Sequence, residues 1–122
     1  MAFMIGQRPF IKLYILHILD KRQSYGLEMM SELKGYLKEE GYTPPTSEIY
    51  RGLEELLKAE IIETTHRIKK DHNGTARDFQ EIILYRYTEN GRQKAEEFKK
   101  ELKKELDRCL GMLKLAAKDN FK

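Results

Sequence analysis

Two groups of cationic side chains carry most of the chemistry this sequence offers. Residues 66–77 hold Arg67, Lys69, Lys70 and Arg77 against one acid, Asp71, with His66 and His72 beside them. Residues 1–22 hold Arg8, Lys12, Lys21 and Arg22 against Asp20 alone. The net charge of +3 is too small to name a partner, but cations gathered in one place raise local affinity for phosphate. Between the two groups stands Arg51, close in sequence to Thr46, Ser47 and Glu48. Its planar fork suits two acceptors at once. The chemistry implied is recognition of anions by charge-assisted hydrogen bonds, without bond-making.

Other residues point to less. Cys109 is the only cysteine, which excludes an intrachain disulfide and a Cys-based zinc knuckle. It reads as a small buried apolar residue rather than a nucleophile. His66 and His72 lack a third ligand at metal-binding spacing. His17, inside an apolar helix, reads as a packed core residue. There is no glycine-rich phosphate loop, no pair of catalytic carboxylates and no Ser/His/Asp arrangement, so neither enzyme activity, a metal nor a cofactor is expected. No apolar run approaches the roughly 18 residues of a membrane helix. The opening Met-Ala-Phe-Met-Ile is too short for a signal peptide, which makes the cytoplasm the expected compartment.

The elements that must position these side chains follow from periodicity. Charged residues make up 35% of the chain and Gly plus Pro only eleven residues, a mix that suits a helix-rich domain. Residues 8–19 predict a helix apolar nearly all round, with Pro9 at its first position, where no N–H is needed. Ser24 is the expected cap of a second helix, whose inner face is Tyr25, Met29, Leu33, Tyr36 and Leu37. Gly41 closes that helix, and Tyr42-Thr43-Pro44-Pro45 forms a stiff connector. A third helix is expected from Thr46 or Ser47 to Glu60, with Ile49, Leu53, Leu56 and Leu57 inward. Ser47, Glu48, Arg51, Glu54, Glu55 and Lys58 are left pointing outward.

Ile61 to Lys69 predicts a strand, Asp71-His72-Asn73-Gly74 a turn, and Phe79 to Thr88 a second strand. Tyr85 and Tyr87 are read as one core ring and one surface ring. From Asn90 to Lys118 the chain returns to helix, with a stripe of Ala95, Phe98, Leu102, Leu106, Cys109, Leu113 and Ala116. A helix of about 40 Å overhangs a globule about 30 Å across. Phe98, Leu102, Leu106, Cys109 and Leu113 are therefore the expected seam of a homodimer.

Three helices followed by a hairpin make an α+β, mainly α, winged helix-turn-helix. Residues 1–89 would form the winged helix, and 90–122 a dimerisation helix belonging to the same domain. In that arrangement the third helix enters the major groove of double-stranded DNA while basic loops hold phosphates. Thr46, Ser47 and Arg51 sit in the first turns and outer face of that helix, Arg51 shaped to grip a guanine edge, with Glu48 either accepting from a cytosine amine or serving the helix N-terminus. Arg67, Lys69, Lys70 and Arg77 would hold phosphates or the minor groove, and Arg8 would reach the backbone from an N-terminal arm. Because residues 46–60 carry net negative charge, the wing and the arm are expected to supply affinity and the helix specificity.

Particular residues also resemble a known family. They are Phe10-Ile11-Lys12-Leu13-Tyr14, Tyr25-Gly26-Leu27, Glu48 to Leu57, Glu81 to Tyr85, Glu105 to Cys109 and Asp119-Asn120-Phe121. In order, over roughly residues 7–121, they resemble the replication terminator proteins of Bacillus. Ile49-Tyr50-Arg51 with Leu53, and Thr88 to Arg92, are similar to PadR-type transcription regulators, the alternative reading. A winged helix that binds protein instead of nucleic acid is a third.

The terminator resemblance implies a dimer joined by antiparallel C-terminal helices, bound to terminator DNA, often as two dimers touching through their wings. It implies arrest of the replicative helicase from one side, with the helicase-facing corner near Arg22 to Tyr25. The implied DNA contacts map to Thr46–Arg51, Arg67–Arg77 and Arg8. The sequence departs from the family pattern in a shorter N-terminal tail, a longer hairpin tip from Asp71 to Asp78, and basic Arg22 where the family carries acid.

Overall fold

The computed structural model describes residues 2–70 and 79–121, with side chains described outside 66–82. The expected turn Asp71–Gly74, His72 and Arg77 lie outside the described residues, as do the side chains of His66, Arg67, Lys69 and Lys70.

Helix α1, Gln7–Lys21, buries Ile11, Ile15, Leu16, Ile18 and Leu19. Pro9 is its third residue rather than its first, still within the turn whose N–H groups have no helical partner. Phe10, Tyr14, His17 and Lys21 recur at spacings of four, three and four and form a second stripe. His17 is consequently exposed, correcting its expected place in the core. Its ring stands edge-on to Tyr14 and Tyr36, with centroids 6.1 and 5.6 Å away.

The structure also corrects the role expected of Ser24. Ser24–Tyr25 form a short strand, β1, and helix α2, Gly26–Leu37, begins after it with no side-chain cap. The Ser24 side chain is buried, its hydroxyl 3.3 Å from the Tyr25 carbonyl. A two-residue strand has no alternation to read. Met29, Leu33 and Leu37 form the inner face of α2, whereas Tyr25 and Tyr36 are exposed. A 3₁₀ turn, Lys38–Glu40, ends at Gly41, whose φ of +80° suits glycine.

Helix α3, Thr46–Lys58, buries Ile49, Leu53 and Leu56. A side chain at Gly52 would place its Cβ 3.1 Å from Ile15 Cδ1, so glycine brings α3 close against α1. Glu60, at φ +59°, ends the helical run expected to reach it and turns the chain into β2, Ile62–Lys70. Strand β3, Phe79–Tyr87, pairs antiparallel with β2 from Ile62↔Tyr87 to Lys70↔Phe79. It also pairs with β1, giving the sheet order β1-β3-β2. Tyr85 and Tyr87 both pack against the core, correcting the expectation of one inside and one outside. Residues two apart on a strand share a face.

Helix α4, Gly91–Asn120, is about 45 Å long. At its start a Cβ on Gly91 would lie 2.1 Å from the Ile61 carbonyl oxygen, so only glycine fits. Asp20 then ties three elements together. It accepts from Tyr87 Oη at 2.6 Å and Lys99 Nζ at 2.8 Å, with Arg92 3.5 Å away. Burial pushes the Asp20 carboxyl up, but Lys99, Tyr87 and Arg92 together hold it below its ordinary value. Burial and the bond to Asp20 push the Tyr87 hydroxyl up. Ala95 completes the core formed by α1, α2, α3, Ile61 and Ile62.

Candidate nucleic-acid interface

Helix α3 has three kinds of surface. Its apolar stripe is spent on the core. Its outer side leaves Thr46, Ser47, Tyr50, Arg51, Glu54 and Lys58 exposed, and the Arg51 side chain is 64% accessible. Thr46 Oγ1 accepts from Lys34 Nζ at 3.2 Å, which ties the start of α3 to α2. Ser47 and Arg51 lie one turn apart, the spacing that lets two side chains meet neighbouring acceptors.

The third surface is the flank toward α1, and there the outward positions expected for Glu48 and Glu55 are corrected. Arg8 Nε and Nη2 donate to the two Glu48 oxygens at 2.8 and 3.2 Å, and Nη1 donates to Glu55 Oε2 at 2.5 Å. Lys12 Nζ takes the other Glu55 oxygen at 3.1 Å. The hydrogen bond from Arg8, outweighing the effect of burial, holds the Glu48 carboxyl below its ordinary range. Bonds from Arg8 and then Lys12 do the same for Glu55, and the Arg8 guanidinium is pushed up in turn. Arg8, expected just before the first helix on an N-terminal arm, lies inside α1 and is joined to α3.

The rest of the N-terminal cationic group is likewise engaged. Lys21 donates to Tyr36 Oη at 2.6 Å and lies over that ring. Arg22 pairs with Glu28 at 2.7 Å and also with Glu32. At the corner from Arg22 to Tyr25, Tyr25 is exposed and Ser24 buried. Residues 2–5 are tied to α4. Arg108 donates to the carbonyls of Ala2 and Phe3 at 2.8 and 3.1 Å, and Ile5 N donates to Cys109 Sγ at 3.3 Å.

That contact alters the picture of α4. Leu102 and Cys109 are buried by their own chain, and Phe98 packs against the core with Lys12 Nζ 5.1 Å from its ring centroid. Leu106 is half-buried and, with Phe10, Leu13, Tyr14, His17 and Lys99, lines an open cleft of about 470 Å³. Of the expected seam, Leu113 alone is exposed, at 55%, and Leu110, Leu115 and Phe121 are exposed on the same half of the chain's last segment. Sequence reasoning missed these last three and the network between α1 and α3. A signal for that network was present: Arg8 and Lys12 are one helical turn apart, Glu48 and Glu55 two.

Three helices, a hairpin that closes a small antiparallel sheet, and a long C-terminal helix define a winged-helix protein. The sequence matches the replication terminator protein family over residues 2–121, and the chain belongs to that family. It is 36% identical to the replication termination protein of Bacillus subtilis strain 168 over 120 residues, 98% of this chain and 93% of the relative. Solved structures share the fold. A transcriptional regulator from Clostridium thermocellum superposes with a TM-score of 0.60 at 18% identity, covering 98% of this chain and all of the other. Bacillus subtilis PadR in complex with operator DNA gives 0.56 at 26% identity, over 73% of this chain and 46% of PadR.

Proposed function

We propose that the chain binds double-stranded DNA as a homodimer and arrests replication forks at terminator sites. Membership of the terminator family over nearly the whole chain carries this reading. The outer face of α3 supports it. Ser47 and Arg51 are exposed there, and Arg51 is the side chain shaped to grip a guanine edge with two bonds. In this reading Thr46 and Ser47 fix the start of the helix on the backbone, while Arg67, Lys69, Lys70 and Arg77 hold phosphates from the hairpin. Two copies pair through the far half of α4, where Leu113, in line with Cys109, is exposed beyond the domain's own core.

The fold shared with an operator-bound PadR favours one second reading, transcription regulation. Mapping bound sites across the genome separates the two. Clusters opposite the replication origin support fork arrest; sites at promoters overturn it in favour of regulation. A salt titration tests DNA binding itself. If about six phosphates are held per dimer, log affinity falls with log salt at a slope near −5. Arg51→Ala should cost about 1–3 kcal/mol on the selected site and relax sequence choice. Equal losses on selected and random duplexes would remove Arg51 from base reading.

A further inference from the structure

The DNA-reading face of α3 has an electrostatic difficulty. Between Thr46 and Lys58 the helix carries Glu48, Glu54 and Glu55 against Arg51 and Lys58, so a phosphate backbone repels it. Two of those three carboxylates lie on the flank toward α1, and both are held by one guanidinium. Arg8 spends three N–H directions on them, at 2.8 and 3.2 Å to Glu48 and 2.5 Å to Glu55. Lys12 takes the remaining Glu55 oxygen.

We propose that Arg8 is a positioning residue for DNA binding: together with Lys12 it offsets the charge of Glu48 and Glu55, and it draws Glu48 off Arg51, instead of contacting phosphate itself. The inference rests on the DNA-binding reading above. Glu48 is the pivot. Its Oε1 lies 3.7 Å from Arg51 Nη1, one helical turn along, but closer to Arg8. Bonded to Arg8 on the α1 side, the carboxylate makes only a long ion pair with Arg51, whose side chain stays 64% accessible to a base. Without Arg8, Glu48 is free to tighten its i,i+3 pair with Arg51, and Glu55 keeps Lys12 alone as its partner beside the duplex. Arg8 is only 28% accessible and three of its five N–H donors already have carboxylate acceptors, which leaves less of it for phosphate.

A double-mutant cycle decides between the two roles. Affinity is measured for a random-sequence duplex and for a sequence enriched by selection on the wild-type protein. Four proteins are compared: wild type, Arg8→Ala, the pair Glu48→Gln and Glu55→Gln, and all three together. Arg8→Ala should weaken binding to both duplexes on the order of tenfold, because like charges are left facing each other. In the background lacking both glutamates the same change should cost less than about twofold and leave the salt slope unaltered.

A phosphate-binding Arg8 gives the opposite result. The loss is then the same in both backgrounds, and the salt slope falls by about one. That outcome overturns the inference. If Arg8→Ala does not fold, Arg8→Gln, which retains the stem, runs the same cycle. A wild-type protein that binds neither duplex refutes the DNA-binding reading, whereas binding with no coupling in the cycle refutes only the role given to Arg8.

Discussion

Helices α3 and α4 carry the same sequence pattern, an apolar stripe at spacings of three and four, and the fold treats the two stripes differently. On α3 the stripe is consumed within the domain: Ile49, Leu53 and Leu56 are at most 1% exposed. On α4 it begins the same way at Ala95, is covered by α1 and then by the N-terminal segment as far as Cys109, and runs on bare. Leu113 and Ala116, its last members, are both exposed. Periodicity therefore reveals that a helix has an apolar side, while length relative to the domain decides whether one chain can cover it.

Four measurements break or sharpen that contrast. The largest effect belongs to α3, where Leu56→Ala should cost about 2–5 kcal/mol in a urea melt, because a fully buried side chain leaves a cavity. A cost under about 1 kcal/mol would mean that α3 is not anchored as described. At the start of α4, Gly91→Ala forces a methyl group onto the Ile61 carbonyl and should cost about 1–3 kcal/mol. An unchanged melting midpoint would show that the corner yields.

Acid should loosen the α1–α3 flank next. Glu48 and Glu55 are held below their ordinary value of about 4.5, so their contribution is complete above it and is lost as pH falls through the lowered folded-state values. Melting temperature against pH should drop over that acid window, and the Glu48→Gln, Glu55→Gln protein should show a shallower drop. An identical drop would remove these two carboxyls from the acid response. The smallest effect on the fold belongs to Leu113→Asp, about 0.5 kcal/mol or less for an exposed position, with the protein sedimenting as a monomer. Retained dimers would place the seam elsewhere, and a loss matching Leu56→Ala would erase the contrast.

Much of the fold was legible because it rests on period and punctuation. The apolar stripes of α2, α3 and α4, the prolines at 44 and 45 and the glycine at 41 each act locally. What escaped depends on partners distant in sequence. Strand β1 exists only because β3 lies beside it, and no property of Ser24 and Tyr25 alone distinguishes it from a helix cap. The apolar neighbours of His17 predict a place in the core, whereas its own stripe with Phe10 and Tyr14 faces outward. In the site, Ser47 and Arg51 were legible as an exposed face. The direction of Glu48 was not, since it is fixed by Arg8, forty residues earlier.

The glycine at the foot of α4 has one more consequence. With Gly91 seated on the Ile61 carbonyl and Asp20 clamping Lys99, the first turns of the long helix keep a set bearing on the sheet. In a dimer of the proposed kind that helix is a ruler, and the separation and phase of the two reading helices are written in its residue count. Adding one residue between Leu102 and Leu110 would swing the far end by about 100° and lengthen it by about 1.5 Å. The half-site spacing recognised on DNA would then have to change, although no residue near the duplex had been touched.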